Sequence, residues 1–547
     1  MTTPPPGDTA AATLISEGRA TLGIEFGSTR IKACLIDDSF VTIASGSHEW
    51  ENEYVDGRWT YPVDAVWSGL QAAYADLAAD TEKRLGVVPS SFAAIGVSAM
   101  MHGYLASDEA GELLVPFRTW RNSSTGPAAE ELSAALAFNI PLRWSIAHLY
   151  QAVLDDEPHF ARIASLTTLA GHVHRALTGR DVLGVGDASG MFPIDPATHD
   201  YDERLLEIAQ DRLAARAPHL VLRDLLPEVL TAGEEAGRLT AEGARLLDPA
   251  GILREGIPFC PPEGDAGTGM VATNSVAPRT GNVSVGTSIF AMVVLEGQLG
   301  RVHPELDVVT TPVGDAVAMV HCNNGASELA AWARVFGRFA DAAGSPLEPD
   351  AVYAALLDEA LAADADAGGL LSFNYLAGEP ITGVEDGRPL LLRSPDSRFT
   401  LGNLIRSEVY AAFATLSIGM EALAEEDVAV EHLLAHGGLF RTPGAAQQLL
   451  AAAVRVPVAI EKTAGEGGAW GIAILASYLR SASEMPLSEY LSTRVFEPGA
   501  AVVVAPTEVD LEGFAAYLER YRAALPLQKA AAAATPVTAT PTAEQEA

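Results

Sequence analysis

Twice in this chain an apolar run suited to a β-strand breaks at a glycine followed by hydroxyl side chains, then resumes as a second apolar run. The first is Thr21-Leu-Gly-Ile-Glu-Phe, the turn Gly27-Ser28-Thr29-Arg30, and residues 31–37. The second is Gly281-Asn-Val-Ser-Val, the turn Gly286-Thr287-Ser288, and residues 289–295. Each reads as a hairpin whose tip offers backbone amides and hydroxyls where glycine lets a ligand approach closely. One such turn is an ordinary hairpin tip, but two at matching places suggest a phosphate group held by two similar halves. The surrounding pattern agrees. The first turn is followed by an extended segment at 41–50, a helical pattern over 62–84 with Val63, Val66, Trp67, Leu70 and Tyr74 on one face, and a buried strand at 93–99. The second is followed by a strand at 316–322 and a helix at 327–340. The expected fold class is α/β in two domains, since 547 residues exceed one ordinary core.

Between the halves, residues 130–258 read as mostly helical, with 160–177 and 203–217 as amphipathic candidates, and form an insertion or cap. Later come a helix over 404–424, His432 to Phe440 as a strand and turn, a helix over 445–454, a strand over 456–460 and a glycine-rich run from Glu466 to Tyr478. Gly437, Gly438, Gly467 and Gly468 stand where strands hand over to helices, the places at which α/β folds bind nucleotides. The ends, 1–20 and 526–547, are Pro-rich or low in complexity and are expected as mobile tails.

Composition excludes several classes. The formal net charge of -36 argues against a nucleic-acid or anionic-membrane partner, and only four lysines, Lys32, Lys83, Lys462 and Lys529, are present to clamp a polyanion. Cys34, Cys260 and Cys322 are scattered, which fits a reducing compartment with small buried thiols. No membrane-length apolar run or secretory leader is seen, so a cytoplasmic location is expected. No Gly-Lys pair occurs, which removes a Walker A loop, and neither H-E-x-x-H nor G-x-S-x-G is found. Gly267-Thr-Gly-Met-Val-Ala fits G-x-G-x-x-A only formally, because a Cys-Pro-Pro loop precedes it instead of a strand.

Asp265, flanked by Gly264, Gly267 and Gly269, is the candidate general base, because such a carboxylate needs open access to substrate. Its bland alternative is a loop or cap residue. Glu25, just before the first turn, is the candidate for Mg²⁺ or its waters, against a strand-end residue facing solvent. His102 closes the strand at 93–99 and is placed to offer a ring nitrogen to a substrate hydroxyl, although a lone strand-end histidine is more often structural.

In order and spacing, Gly23-Ile-Glu-Phe-Gly-Ser-Thr, Met101-His-Gly, Leu177-Thr-Gly with Asp187-Ala-Ser-Gly, Gly264-Asp, Ser284-Val-Gly-Thr-Ser, Gly437-Gly and Gly467-Gly-Ala-Trp-Gly-Ile-Ala resemble the FGGY carbohydrate kinases, in particular the branch similar to xylulokinase and to some L-ribulokinases. The resemblance implies two actin-like, ribonuclease-H-like domains with the catalytic cleft between them. It divides the chain into a sugar-binding domain over 21–276 and an ATP-binding domain over 277–525. It implies transfer of the ATP γ-phosphoryl to a hydroxyl of a ketopentose of the L-ribulose or D-xylulose type, with Asp265 as base. Met101, His102, Gly103 and Trp120 would line the sugar. Gly27, Ser28, Thr29 and Arg30, with Gly286, Thr287 and Ser288, would hold phosphates, and Gly437 and Gly438 would let adenosine lie against the backbone. Glu25 and Asp265 would serve Mg²⁺. The implied partners are a small-molecule sugar and ATP, with no nucleic acid or membrane and with a homodimer among the compatible assemblies. Three positions depart from the family pattern: Glu25 stands for Asp, Ala266 for the Asn usual in xylulokinases, and Asn122 ends Trp120-Arg-Asn where Trp-x-Asp is common. The alternatives are a kinase for another ketose or a polyol, or a non-catalytic protein that binds sugar and ATP. An activator ATPase is disfavoured by the scattered cysteines.

Overall fold

A computed structural model describes residues 6–441, 444–460, 467–497, 499 and 501–536. The chain forms two units. The first takes the described residues of Met1–Pro278, Val294–Ala318 and Thr463–Ala500, and the second those of Arg279–Val293, Met319–Lys462 and Ala501–Ala547. Lys462 and Glu466 lie outside the described residues.

In the first unit, helix α1 (Pro6–Ser16) precedes strands β1 (Thr21–Phe26), β2 (Arg30–Ile36) and β3 (Thr42–Glu49), helix α2 (Val63–Leu85) and strand β4 (Ala94–Ala99). Strand β5 (Glu263–Gly264) and helix α3 (Asp265–Ala272) follow the long insertion. The sheet order is β5-β4-β1-β2-β3. β1 pairs antiparallel with β2 and parallel with β4, and β5 pairs parallel with β4. β1 and β4 are apolar along nearly their whole length because both faces are covered. One cover is the helix Gly468–Tyr478, every residue of which is buried. Glycines let it approach: a Cβ at Gly23 would overlap Ala469 O, one at Gly471 would overlap Thr268 O, and one at Gly96 would lie 2.6 Å from Ile472 Cγ1.

In the second unit, strands β6 (Thr280–Val285), β7 (Ile289–Val294) and β8 (Ala316–Cys322), helices α4 (Ser327–Ala342) and α5 (Leu401–Glu425), and strands β9 (His432–His436), β10 (Val458–Ile460) and β11 (Val502–Val504) build a sheet of which six strands run β8-β7-β6-β9-β10-β11. β6 pairs antiparallel with β7 and parallel with β9, and β9 pairs parallel with β10. The order β8-β7-β6-β9-β10 therefore repeats β3-β2-β1-β4-β5 of the first unit, with a glycine turn between the first two strands of each half. No helix among the described residues is long and apolar enough to cross a membrane.

Three expectations are corrected. Residues 160–177 are not one helix. They form a 3₁₀ turn (Pro158–Arg162), a strand (Ser165–Thr167) paired with Leu105–Ser107, and a helix (Leu169–Thr178). The β-branched pair Thr167-Thr168 stops helix propagation, and Thr168 caps the new helix by accepting from Gly171 N at 3.2 Å. The N-terminal segment carries α1, held because Ile15 is buried in the first unit's core. The C-terminal segment begins as helix Pro526–Ala534, tied down by Gln528, whose amide accepts from Arg388 N at 2.8 Å and donates to Arg388 O at 3.0 Å. Residues 1–5 and 537–547 lie outside the described residues.

Candidate active site

β1, β4 and β5 are neighbouring parallel strands, and Phe26, Ala99 and Gly264 occupy one row across them. The chain leaves that row as Gly27 to Arg30, as Met100 to Gly103 and as Asp265. Three of the residue groups singled out from sequence are thereby brought to one sheet edge, the C-terminal edge at which open α/β sheets bind ligands.

Asp265 is the first residue of α3, so its carboxylate sits at a helix N-terminus, where negative charge is favoured. Its Oδ1 accepts from Met101 N at 3.0 Å. Burial pushes its pKa up to about 6, opposed by the Met101 amide and aided by the neighbouring charge of Glu25. A carboxylate with a raised pKa at an accessible strand end is suited to accepting a proton. Glu25 is half-buried. Burial raises its pKa, while Lys32, its cross-strand partner, and the amides of Ala469 and Gly468 lower it. Glu25 Oε2 accepts from Ala469 N at 3.2 Å, and a Cβ on Gly468 would lie 2.5 Å from Oε1. The residue expected to serve a metal thus also caps the glycine-rich helix.

Among the described residues no group of three or more His, Cys, Asp or Glu could hold a metal. Two neighbouring carboxylates are not a protein cage, but they do fit Mg²⁺, which keeps several waters and takes most remaining ligands from phosphate.

Met101 and His102 are 5 % exposed. His102 has φ +71°, a conformation that few non-glycine residues adopt, and its Nδ1 lies 3.4 Å from Gly190 O. Gly190 leaves no space for a side chain, since a Cβ there would lie 2.5 Å from Nδ1. The His102 ring lies parallel to Trp144, with centroids 6.4 Å apart. Gly103 has φ +102° and passes close to Phe117. Trp120 packs against the core with the Arg121 guanidinium 6.0 Å from its ring centroid, and no hydrogen bond among the described residues joins it to Asp265. Asn122 is turned inward. Its Oδ1 accepts from Trp59 N at 2.9 Å, and its Nδ2 donates to Trp59 O at 2.8 Å and Thr119 O at 3.1 Å.

Buried acids behind Asp265 received no role from sequence. Asp187 is fully buried and its Oδ2 accepts from Thr168 Oγ1 at 2.6 Å, while Oδ1 has no hydrogen-bond partner among the described residues. Burial pushes its pKa up to about 7, eased by Thr168 and raised further by Asp265. Glu263, also raised by burial and by Asp187, accepts from Gly186 N at 3.3 Å and Asp187 N at 3.0 Å. Ser98 and Thr268 join hydroxyls at 3.0 Å beneath the same edge. Asp187 lies within a quoted motif, but only folding places it behind residue 265.

In the second unit the neighbouring ends of β6 and β9 carry Gly286 to Ser288 and Gly437-Gly438, with Ser284 opposite His436. The Gly286 and Thr287 carbonyls accept from Ala326 N at 2.9 Å and Gly325 N at 2.7 Å. Asn324 fixes that backing segment, donating through N at 3.2 Å and Nδ2 at 3.0 Å to Glu379. Gly437 has φ +109° and lies against Val285 O, whereas a Cβ on Gly438 would meet nothing within 4 Å. That open space suits a ligand lying on the backbone. Arg30 is exposed and paired with Glu49.

Residues 20–272 match the model for the N-terminal domain of the FGGY family of carbohydrate kinases, and residues 281–480 match the model for its C-terminal domain. Solved structures share the fold at low identity. A xylulose kinase from Rhodospirillum rubrum matches at 18 % identity and TM-score 0.75, covering 94 % of this chain and 99 % of its own. A gluconate kinase from Lactobacillus acidophilus gives the same values. A glycerol kinase from Plasmodium falciparum with ADP matches at 13 % and 0.70, covering 95 % and 99 %.

Proposed function

This chain belongs to the FGGY family of carbohydrate kinases and is an enzyme that phosphorylates sugars with ATP, and from that premise we propose that its sugar is a ketopentose of the L-ribulose or D-xylulose type, with Asp265 as general base. Membership of the family sets aside the alternative of a non-catalytic binding protein. The observation that carries the assignment of the base is its position at the row shared by β1, β4 and β5, held by the Met101 amide with a raised pKa.

In the proposed reaction the Asp265 carboxylate takes the proton of the sugar hydroxyl, the freed oxygen bonds to the γ-phosphorus, and the bond from that phosphorus to the β,γ-bridging oxygen breaks to release ADP. Such transfer depends mainly on positioning and charge stabilisation. Met101, His102 and Gly103 would orient the sugar, with Trp120 as an outer wall. Ser28 and Thr29, and separately Gly286, Thr287 and Ser288, would donate amides and hydroxyls to phosphates, while Gly437 and Gly438 would receive adenosine. Glu25 and Asp265 would hold Mg²⁺ through its waters, and the ion would neutralise phosphate charge. The same proposal includes a cytoplasmic location, where ATP is available, and a homodimer, which light scattering tests.

Support for the ketopentose comes from the xylulose kinases among the similar structures. The glycerol kinase supports a second reading, another ketose or a polyol, as do Ala266 beside the base and the inward-turned Asn122, and the gluconate kinase adds an aldonate to the panel. Coupled ADP-release assays over ketopentoses, other ketoses, aldonates and polyols decide between them. The expected result is highest kcat/KM on L-ribulose or D-xylulose, and preference for an aldonate or polyol would overturn the substrate assignment.

A further inference from the structure

The first glycine turn is held from behind by two aromatic side chains. Trp50 Nε1 donates to Gly27 O at 2.7 Å, Tyr61 OH donates to Ser28 O at 2.6 Å, and Trp50 N donates to Thr29 O at 3.2 Å. The two rings stack with centroids 4.2 Å apart and planes 28° from parallel, and they are buried at 6 % and 2 % exposure. Three successive carbonyls are therefore drawn toward one rigid pair. In a trans peptide the C=O of one residue and the N–H of the next point in opposite directions. Drawing back the Gly27 and Ser28 carbonyls accordingly turns the Ser28 and Thr29 amides outward, and successive outward amides make an anion-binding concavity.

The second unit solves the same problem differently. Its turn carbonyls, those of Gly286 and Thr287, are drawn back by the main-chain amides of residues 325 and 326. Among the described residues, side chains do this at the first turn and main-chain amides at the second.

We propose that Trp50 and Tyr61 are positioning residues for nucleotide phosphate, fixing the amides of Ser28 and Thr29 in the orientation that receives it. The proposal rests on the reading that this turn meets phosphate. Neither aromatic touches the ligand; both act through the peptide planes. Tyr61→Phe is the conservative perturbation, since the ring keeps its stack on Trp50 while the hydroxyl's donation to Ser28 O is lost together with its contact to the Asn52 side chain.

The test is calorimetric titration of the full chain with ATP in the presence of MgCl₂, and separately with adenosine, which carries no phosphate. Tyr61→Phe is expected to weaken ATP by about 5- to 10-fold, the effect of one hydrogen bond, while adenosine affinity and the melting temperature stay near wild type. Trp50→Phe should act in the same direction. Equal loss of ATP and adenosine would show a merely structural role and overturn the proposal, as would unchanged ATP affinity in both variants. Ser28→Pro, which removes one amide, separates the two levels. If it weakens ATP while the aromatic variants are silent, only the positioning role falls; if it too leaves ATP unchanged, the turn does not meet phosphate and the underlying reading falls with it.

Discussion

Replacing Asp265 by asparagine removes the proposed base while leaving its frame in place. The introduced carboxamide would keep an Oδ1 to accept from Met101 N, the bond that spans 3.0 Å in the native chain, and its volume is that of the carboxyl it replaces. The backbone at the β4 end should not move. What disappears is proton acceptance, a contribution of about 10² to 10⁴ in rate, equivalent to roughly 3 to 5 kcal/mol at about 1.4 kcal/mol per decade. The assay is steady-state turnover on the best sugar from the substrate panel, alongside ATP binding by calorimetry. The kcat should fall by that factor with ATP affinity, titrated without MgCl₂, within about twofold of wild type, since the proposed nucleotide contacts other than Mg²⁺ are backbone turns elsewhere in the sequence. Asp265→Ala supplies the control. It should lose as much kcat and also leave the Met101 amide unpaired, lowering stability by about 1 to 3 kcal/mol. A kcat loss below tenfold in Asp265→Asn, or an equal loss of ATP binding, would refute the assignment of the base.

Glycine substitutions separate packing from binding: Gly23→Ala, which drives a methyl into Ala469 O, should destabilise by about 1 to 3 kcal/mol or more in thermal melts. Gly438→Ala faces open space and should leave the melting temperature unchanged while weakening ATP. Asn122→Asp should lower the melting temperature, because the donor to Trp59 O and Thr119 O becomes a carboxylate facing two carbonyls, at about 1 to 3 kcal/mol. For pH, burial pushes His148 down to about 3 and His172 and His174 down to about 4. Their folded pKa values lie below the unfolded 6.5, so the stability linked to their neutral forms is present above pH 6.5 and is lost as pH falls toward 4, by up to about 1.4 kcal/mol per histidine per pH unit. Buried acids such as Asp187 pull the other way, so the comparison is with a variant. His148→Leu should move the acid-unfolding midpoint, followed by circular dichroism, to lower pH, and an unchanged midpoint would contradict a neutral buried His148.

Local pattern was enough to read both hairpins, their glycine turns and most of the long helices, and to single out Asp265 as a candidate, because each depends on residues close in sequence. Alternating or continuous apolar runs specify strands, glycine specifies where a turn can accept a close neighbour, and Asp265 announces itself by the glycines around it. The repeated strand order even foretold that the two halves would resemble each other. The misread segment at 160–177 is the exception that fits the rule, since an apolar period cannot reveal that Thr168 will act as a cap.

Tertiary structure alone decided which distant residues lie beside Asp265, Glu25 and the Gly27 turn. The helix Gly468–Tyr478 returns to the first unit and hands its N-terminus to Glu25, 444 residues earlier in the chain. Asp187, from within the long insertion, and Glu263, just after it, come together behind Asp265, and Trp50 and Tyr61 reach back to the turn at Gly27. Such pairings depend on how strands register and how closely helices approach them, and those distances are set by packing across the sheet instead of by any periodicity along the chain.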